Sequence, residues 1–133
     1  MYTYTHSLCF LYFFSQYGIN STTMIGWWEI DVPVKVAIIS HASNCTNSSY
    51  DGNSILATVF TTFEKIALIA IASWCSENCS VSLEIDWAVL GLSPTSTIAY
   101  SPLIPNMQID GPVFLNRIEL TPNGGTIVVL QPE

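Results

Sequence analysis

Glu84 and Asp86 stand at i and i+2 in the run Leu83-Glu-Ile-Asp-Trp87. Two carboxyl groups on one strand face are the minimum equipment for hydrolysing a glycoside, which uses a pair held roughly 5 to 9.5 Å apart across the bond. The pair also falls in the most regular alternation of the chain. Val81, Leu83, Ile85 and Trp87 form one face, and Ser80, Ser82, Glu84 and Asp86 form the other, so a solvated face accounts for the acids without catalysis. Nothing beside them in the sequence marks a pocket that would raise one carboxyl pKa and divide the roles of acid and base. Ser40-His41 are chain neighbours, and adjacency does not make a nucleophile and base. Asp51-Gly-Asn-Ser54 is turn chemistry that lacks the ligand number of a calcium loop.

The segment Met24-Ile-Gly-Trp-Trp-Glu-Ile-Asp31 is different in kind. Trp27 and Trp28, with Glu29 and Asp31 close behind, are suited to an aromatic platform for a sugar ring. They are equally suited to a buried contact, because tryptophan carries a large apolar area. Four cysteines, Cys9, Cys45, Cys75 and Cys79, lack the two-residue spacing of a zinc knuckle or redox motif, and neither histidine is near the last two. Free thiols or a disulfide closing the 75–79 loop are expected, and no metal site. Four glycosylation sequons begin at Asn20, Asn44, Asn47 and Asn78. With the even cysteine count they favour an extracellular or lumenal setting.

These residues belong to a chain of 133 residues, 50% hydrophobic and 10% charged, with a formal net charge of −7. That size suits one domain with one core. So apolar a composition is unlike that of a disordered chain. Lys35, Lys65 and Arg117 are the whole basic complement, too few for a nucleic-acid footprint or an anionic membrane surface. The longest apolar runs, Leu8–Phe14 and Ile66–Ala72, fall well short of the roughly 20 residues of a spanning helix. Leu8–Phe14 resembles a signal-peptide core, but no Lys or Arg precedes it, and a buried helix or strand suits it better. No phosphate-binding or dinucleotide glycine loop occurs, so no cofactor is expected.

The elements that must position these groups read as β structure. Val32–Ile39 is a strand whose Pro33 marks an edge. Ile55–Thr62 and Ile66–Trp74 flank the polar break Glu64-Lys65 as a hairpin, and the second run, apolar on both faces, is a central strand. Trp87–Leu90 is one helical turn stopped by Gly91, and Thr97–Tyr100 is a short strand. Ser101–Pro112, with three prolines and a glycine, is a long surface loop. Arg117–Pro122 and Thr126–Leu130 flank Asn123-Gly-Gly125 and are expected to pair as a hairpin. The whole predicts an all-β fold, an antiparallel β-sandwich of about six to eight strands with a short N-terminal helical or extended segment.

Tyr17-Gly-Ile19, Met24-Ile-Gly-Trp-Trp28 and Val32-Pro-Val-Lys35 resemble the junction leaving the catalytic barrel of glycoside hydrolase 123-like proteins. The likeness continues through Ile55–Phe60, Ile69–Trp74, Leu83–Trp87 and Leu90-Gly-Leu-Ser-Pro94, in the order of that family's C-terminal β-sandwich. None of these is a catalytic motif. The resemblance implies a remnant of barrel end and junction over residues 1–31 and a sandwich over 32–133. It implies a non-catalytic accessory domain, a fragment lacking the barrel, whose partner is that barrel, with carbohydrate as a second. Trp27, Trp28, Glu29 and Asp31 would then reach the rim of the substrate cleft. A free-standing carbohydrate-binding module built on Trp27 and Trp28 is the alternative, and a small hydrolase using Glu84 and Asp86 ranks last. Ser40–Asn53 is longer, and Ser101–Gly111 shorter, than the family pattern leads one to expect.

Overall fold

The computed structural model describes residues 23–40, 55–62 and 65–133. Within them lie nine strands and one short helix: β1 (Thr23–Ile25), β2 (Val34–Ser40), β3 (Ile55–Thr61), β4 (Ala67–Ser73), β5 (Cys79–Ile85), α1 (Trp87–Leu90), β6 (Thr97–Ser101), β7 (Gly111–Pro112), β8 (Ile118–Leu120) and β9 (Gly125–Pro132). Two antiparallel sheets result, one of six strands in the order β1-β3-β4-β9-β6-β7 and one of three in the order β2-β5-β8. The fold is the expected β-sandwich. Its strand number exceeds the expected six to eight because β1 and β7 are too short, at three and two residues, to leave a pattern in the sequence.

The core follows from the period-two rule. Ala67, Ile69 and Ile71 of β4 face inward with Val128 and Leu130 of β9, against Val34 of β2 and Val81 and Leu83 of β5. The opposite face of the larger sheet is also apolar. Leu68, Ile127 and Val129 pack there under Ile104, with Met107 and Tyr100 alongside. This second cluster is why β4 and β9 read as apolar on both faces.

It also corrects the expectation for residues 101–112. The segment is not merely a surface loop: Ile104 is 2% exposed and sits over the sheet. A tight turn, with Ile104 and Gln108 exchanging backbone hydrogen bonds at 3.0 Å in each direction, aims it there. Gln108 fastens the turn. Its Oε1 accepts from the Ile127 N–H at 2.8 Å and its Nε2 donates to the Ile127 carbonyl at 3.0 Å. The β6–β9 register would place Pro102 opposite Ile127, and proline has no N–H to offer. The Gln108 amide supplies the missing donor and also donates to the Pro102 carbonyl at 2.8 Å.

A second correction concerns the expected hairpin over 117–130. The turn is present, with Asn123 at φ 50°, but its flanking strands do not pair. β8 joins β5 in the small sheet, whereas both edges of β9 are occupied by β4 and β6. The turn therefore crosses between sheets. It is tied to the β4–β5 connection, Asn123 N–H donating to the Cys75 carbonyl and Ser73 N–H to the Gly124 carbonyl, both at 2.8 Å.

Elsewhere the expected elements are found. Lys65 turns the chain between β3 and β4 at φ 60°. β2 is an edge strand beginning just after buried Pro33. Helix α1 is capped by the Asp86 carboxylate at its start and by Gly91 in the left-handed region, φ 68°, at its end.

Candidate functional site

The tryptophan segment folds as a turn leaving β1, whose pairing with β3 sets Ile25 opposite Val59. The Glu29 N–H donates to the Gly26 carbonyl at 2.9 Å, and the Glu29 carboxylate accepts from the Gly26 N–H at 3.1 Å. Glu29 is thus engaged in closing the turn. Gly26 lets the Trp28 ring lie close over the turn, where a Cβ would meet it at 2.4 Å and push it aside. The Trp27 and Trp28 rings meet edge to face, with centroids 5.8 Å apart and planes at 87°. Two perpendicular rings do not make one flat platform. Trp28 is 59% exposed.

Asp31 is placed elsewhere. It lines an open groove of about 780 Å³ with Ile30, Lys35, Glu84, Asp86 and Val89 among its walls. The β2–β5 register builds this groove by setting Lys35 opposite Glu84 and Val34 opposite Ile85. The Asp86 N–H donates to the Pro33 carbonyl at 2.7 Å and fixes the mouth. Glu84 and Asp86 are exposed, as the alternation predicts, with Val81 and Leu83 buried and Ile85 and Trp87 half-buried against the core. The Asp86 carboxylate accepts from the Val89 N–H at 3.3 Å, which commits it to the helix cap. Asp31 thus lines the groove that the carboxylate pair shares, and Trp27, Trp28 and Glu29 do not. Among the described residues no three His, Cys, Asp or Glu side chains are arranged to hold a metal ion.

Ser80 departs from the expected wet face. It is 3% exposed, because β8 pairs with this end of β5, and its hydroxyl donates to Glu119 Oε2 at 2.7 Å. That hydrogen bond, with a second from Arg117 Nε at 3.0 Å, holds the Glu119 carboxyl below the ordinary glutamate range. The sequence contains no signal for this pairing, since the partners are brought together only by β5–β8 register. For the cysteines, the expected free thiol is found at Cys75 and the expected 75–79 disulfide is not. Cys75 is a buried free thiol and Cys79 is disulfide-bonded, so they do not close the 75–79 loop together. Asn78 is exposed beside Cys79. Asn20, Asn44, Asn47, Cys9, Cys45, Ser40-His41 as a pair, and Asp51–Ser54 lie outside the described residues, as does the N-terminal segment.

Comparison with known proteins adds the family. No curated protein matches the sequence. Among solved structures, a family 27 glycoside hydrolase from Geobacillus stearothermophilus, a β-L-arabinopyranosidase in complex with arabinose, is similar at 19% identity and a TM-score of 0.42. That likeness covers 63% of this chain and 19% of the enzyme. The family model described as the C-terminal domain of glycoside hydrolase 123 matches residues 10–131. The chain belongs to the family of glycoside hydrolase 123 C-terminal domains.

Proposed function

We propose that this chain is a non-catalytic accessory β-sandwich that packs beside the catalytic barrel of a glycoside hydrolase. The observation that carries the reading is the character of the groove at the mouth of β2 and β5. Its three carboxylates are exposed, and one of them caps a helix. Two of its walls are instead apolar and open to water, Ile30 at 97% and Val89 at 59% exposed. Exposed aliphatic side chains flanking a charged groove suit a protein surface as partner.

The test is to purify the chain and assay it against a panel of aryl glycosides, alone and with a catalytic barrel of the same family expressed without its own C-terminal domain. The expected result is no turnover by the chain alone, and co-purification with the barrel that Ile30→Asp abolishes. Turnover by the chain, lost in Glu84→Gln, would overturn the reading. The exposed Trp28 ring supports a second reading, carbohydrate binding by the free domain. Retardation of the chain in polysaccharide gels, lost in Trp28→Ala, would favour it.

A further inference from the structure

We propose that Asn78 is an N-glycosylation acceptor and that it takes its glycan before the domain closes. The motif is Asn78-Cys79-Ser80. Two observations raise it above a chance match. Ser76, Glu77 and Asn78 are exposed in succession on the β4–β5 connection, where a bulky glycan displaces nothing. Cys79, the middle residue of the motif, is disulfide-bonded, and such bonds persist in the oxidising compartments in which glycans of this kind are added.

The timing follows from Ser80. An acceptor site needs its serine hydroxyl available to the transferase, yet in the folded domain Ser80 is buried and donates to Glu119 at 2.7 Å. Glu119 lies 39 residues later in the chain, so it is still being synthesised when the motif first becomes accessible. Until β8 docks on β5, the Ser80 hydroxyl is free. In the reaction Asn78 Nδ2 forms a bond to the anomeric carbon of a lipid-pyrophosphate-linked oligosaccharide. The bond from that carbon to the pyrophosphate oxygen breaks, the lipid pyrophosphate leaves with the electron pair, and one carboxamide proton passes to a base of the transferase. The glycan then stands at the start of β5, the end opposite Asp86 and the groove, about 25 Å away along an extended strand. It therefore leaves that groove free for a partner.

The full chain, behind a cleavable secretion signal, is translated into microsomal vesicles and digested with trypsin. After reduction and alkylation, which release Cys79 from its disulfide partner, cleavage at Lys65 and Arg117 isolates residues 66–117, which contain Asn78 and none of the other three sequons. This peptide should carry a glycan that peptide N-glycosidase removes, leaving aspartate at position 78, and Asn78→Gln should lose it. The purified folded chain, offered afterwards to the detergent-extracted transferase, should remain unmodified at Asn78. An unmodified 66–117 peptide after translation into vesicles overturns the proposal. Modification of the folded chain at Asn78 overturns the order of events assigned to it.

Discussion

Gln108→Ala tests whether one side chain holds the second apolar layer on the large sheet. The amide spans the gap that Pro102 leaves opposite Ile127, and it also receives the Thr126 hydroxyl at 3.1 Å and donates to Ser101 Oγ at 2.9 Å. The hydroxyls can turn to water. The N–H and C=O of Ile127 cannot do so freely, since that residue is 0% exposed. Each buried polar group left without a partner costs about 1 to 3 kcal/mol. Gln108 and Thr126 line an open groove of about 540 Å³ beside the gap. With the carbonyl of buried Pro102, which loses the same donor, three groups at the lower half of that range give about 3 to 6 kcal/mol. For a domain of this length, that lowers Tm by at least about 6 °C.

Tryptophan fluorescence through a urea titration measures the loss, and hydrogen exchange at the Ile127 amide localises it. Gln108→Glu adds a control of opposite pH sense. Its carboxylate would face the carbonyls of Pro102 and Ile127, so its folded pKa would lie above the unfolded value. Stability is then fully present below the ordinary glutamate value of about 4.3 and is lost as pH rises through the folded pKa. A Gln108→Ala protein with the wild-type midpoint and unchanged exchange at Ile127 would refute the bridging role.

Leu83→Ala should cost about 2 to 4 kcal/mol in the same titration, because Leu83 is buried between the sheets; a change near zero would mean the β5 register is wrong. Gly26→Ala must displace the Trp28 ring, and since that ring is mostly exposed it should move outward with a stability loss under about 1 kcal/mol. The near-ultraviolet circular dichroism of the perpendicular Trp27–Trp28 pair should change with it, and an unchanged spectrum would count against the packing described. Glu119 has a depressed folded pKa, so its contribution is present above the unfolded value and is lost as pH falls through the folded one. Ser80→Ala removes its larger cause and should flatten that acid limb in a pH series of urea titrations, whereas an unaltered limb would assign the effect elsewhere.

Much of the fold was legible because it rests on local rules. The alternation of β5, the doubly apolar β4, the single turn before Gly91 and the Asn123 turn each depend on a few neighbouring residues. What was not legible depends on partners far away in the chain. Asn-Gly chemistry specifies that the backbone reverses, but not whether the next strand finds its neighbour or another sheet. Here β4 and β6 take both edges of β9 and the hairpin is lost. The 101–112 segment concealed its packing for a related reason. Ile104 and Met107 have no periodic company among the prolines, and only the donor missing at Pro102 explains why Gln108 pins them down.

The candidate site was legible as residue types and illegible as an arrangement. Glu84 and Asp86 were visible on one strand, and Asp31 and Lys35 were visible upstream, but nothing local joins the two stretches. The join is made by β2–β5 register, and a slip of one residue would turn Lys35 from solvent to core. The bond from the Asp86 N–H to the Pro33 carbonyl sets that register at the groove mouth. Asp86 is thus used twice, its N–H to align β2 and its carboxylate to start α1. The same spacing that suggested a catalytic pair is therefore what a strand needs in order to end, turn into a helix and hold its neighbour in step.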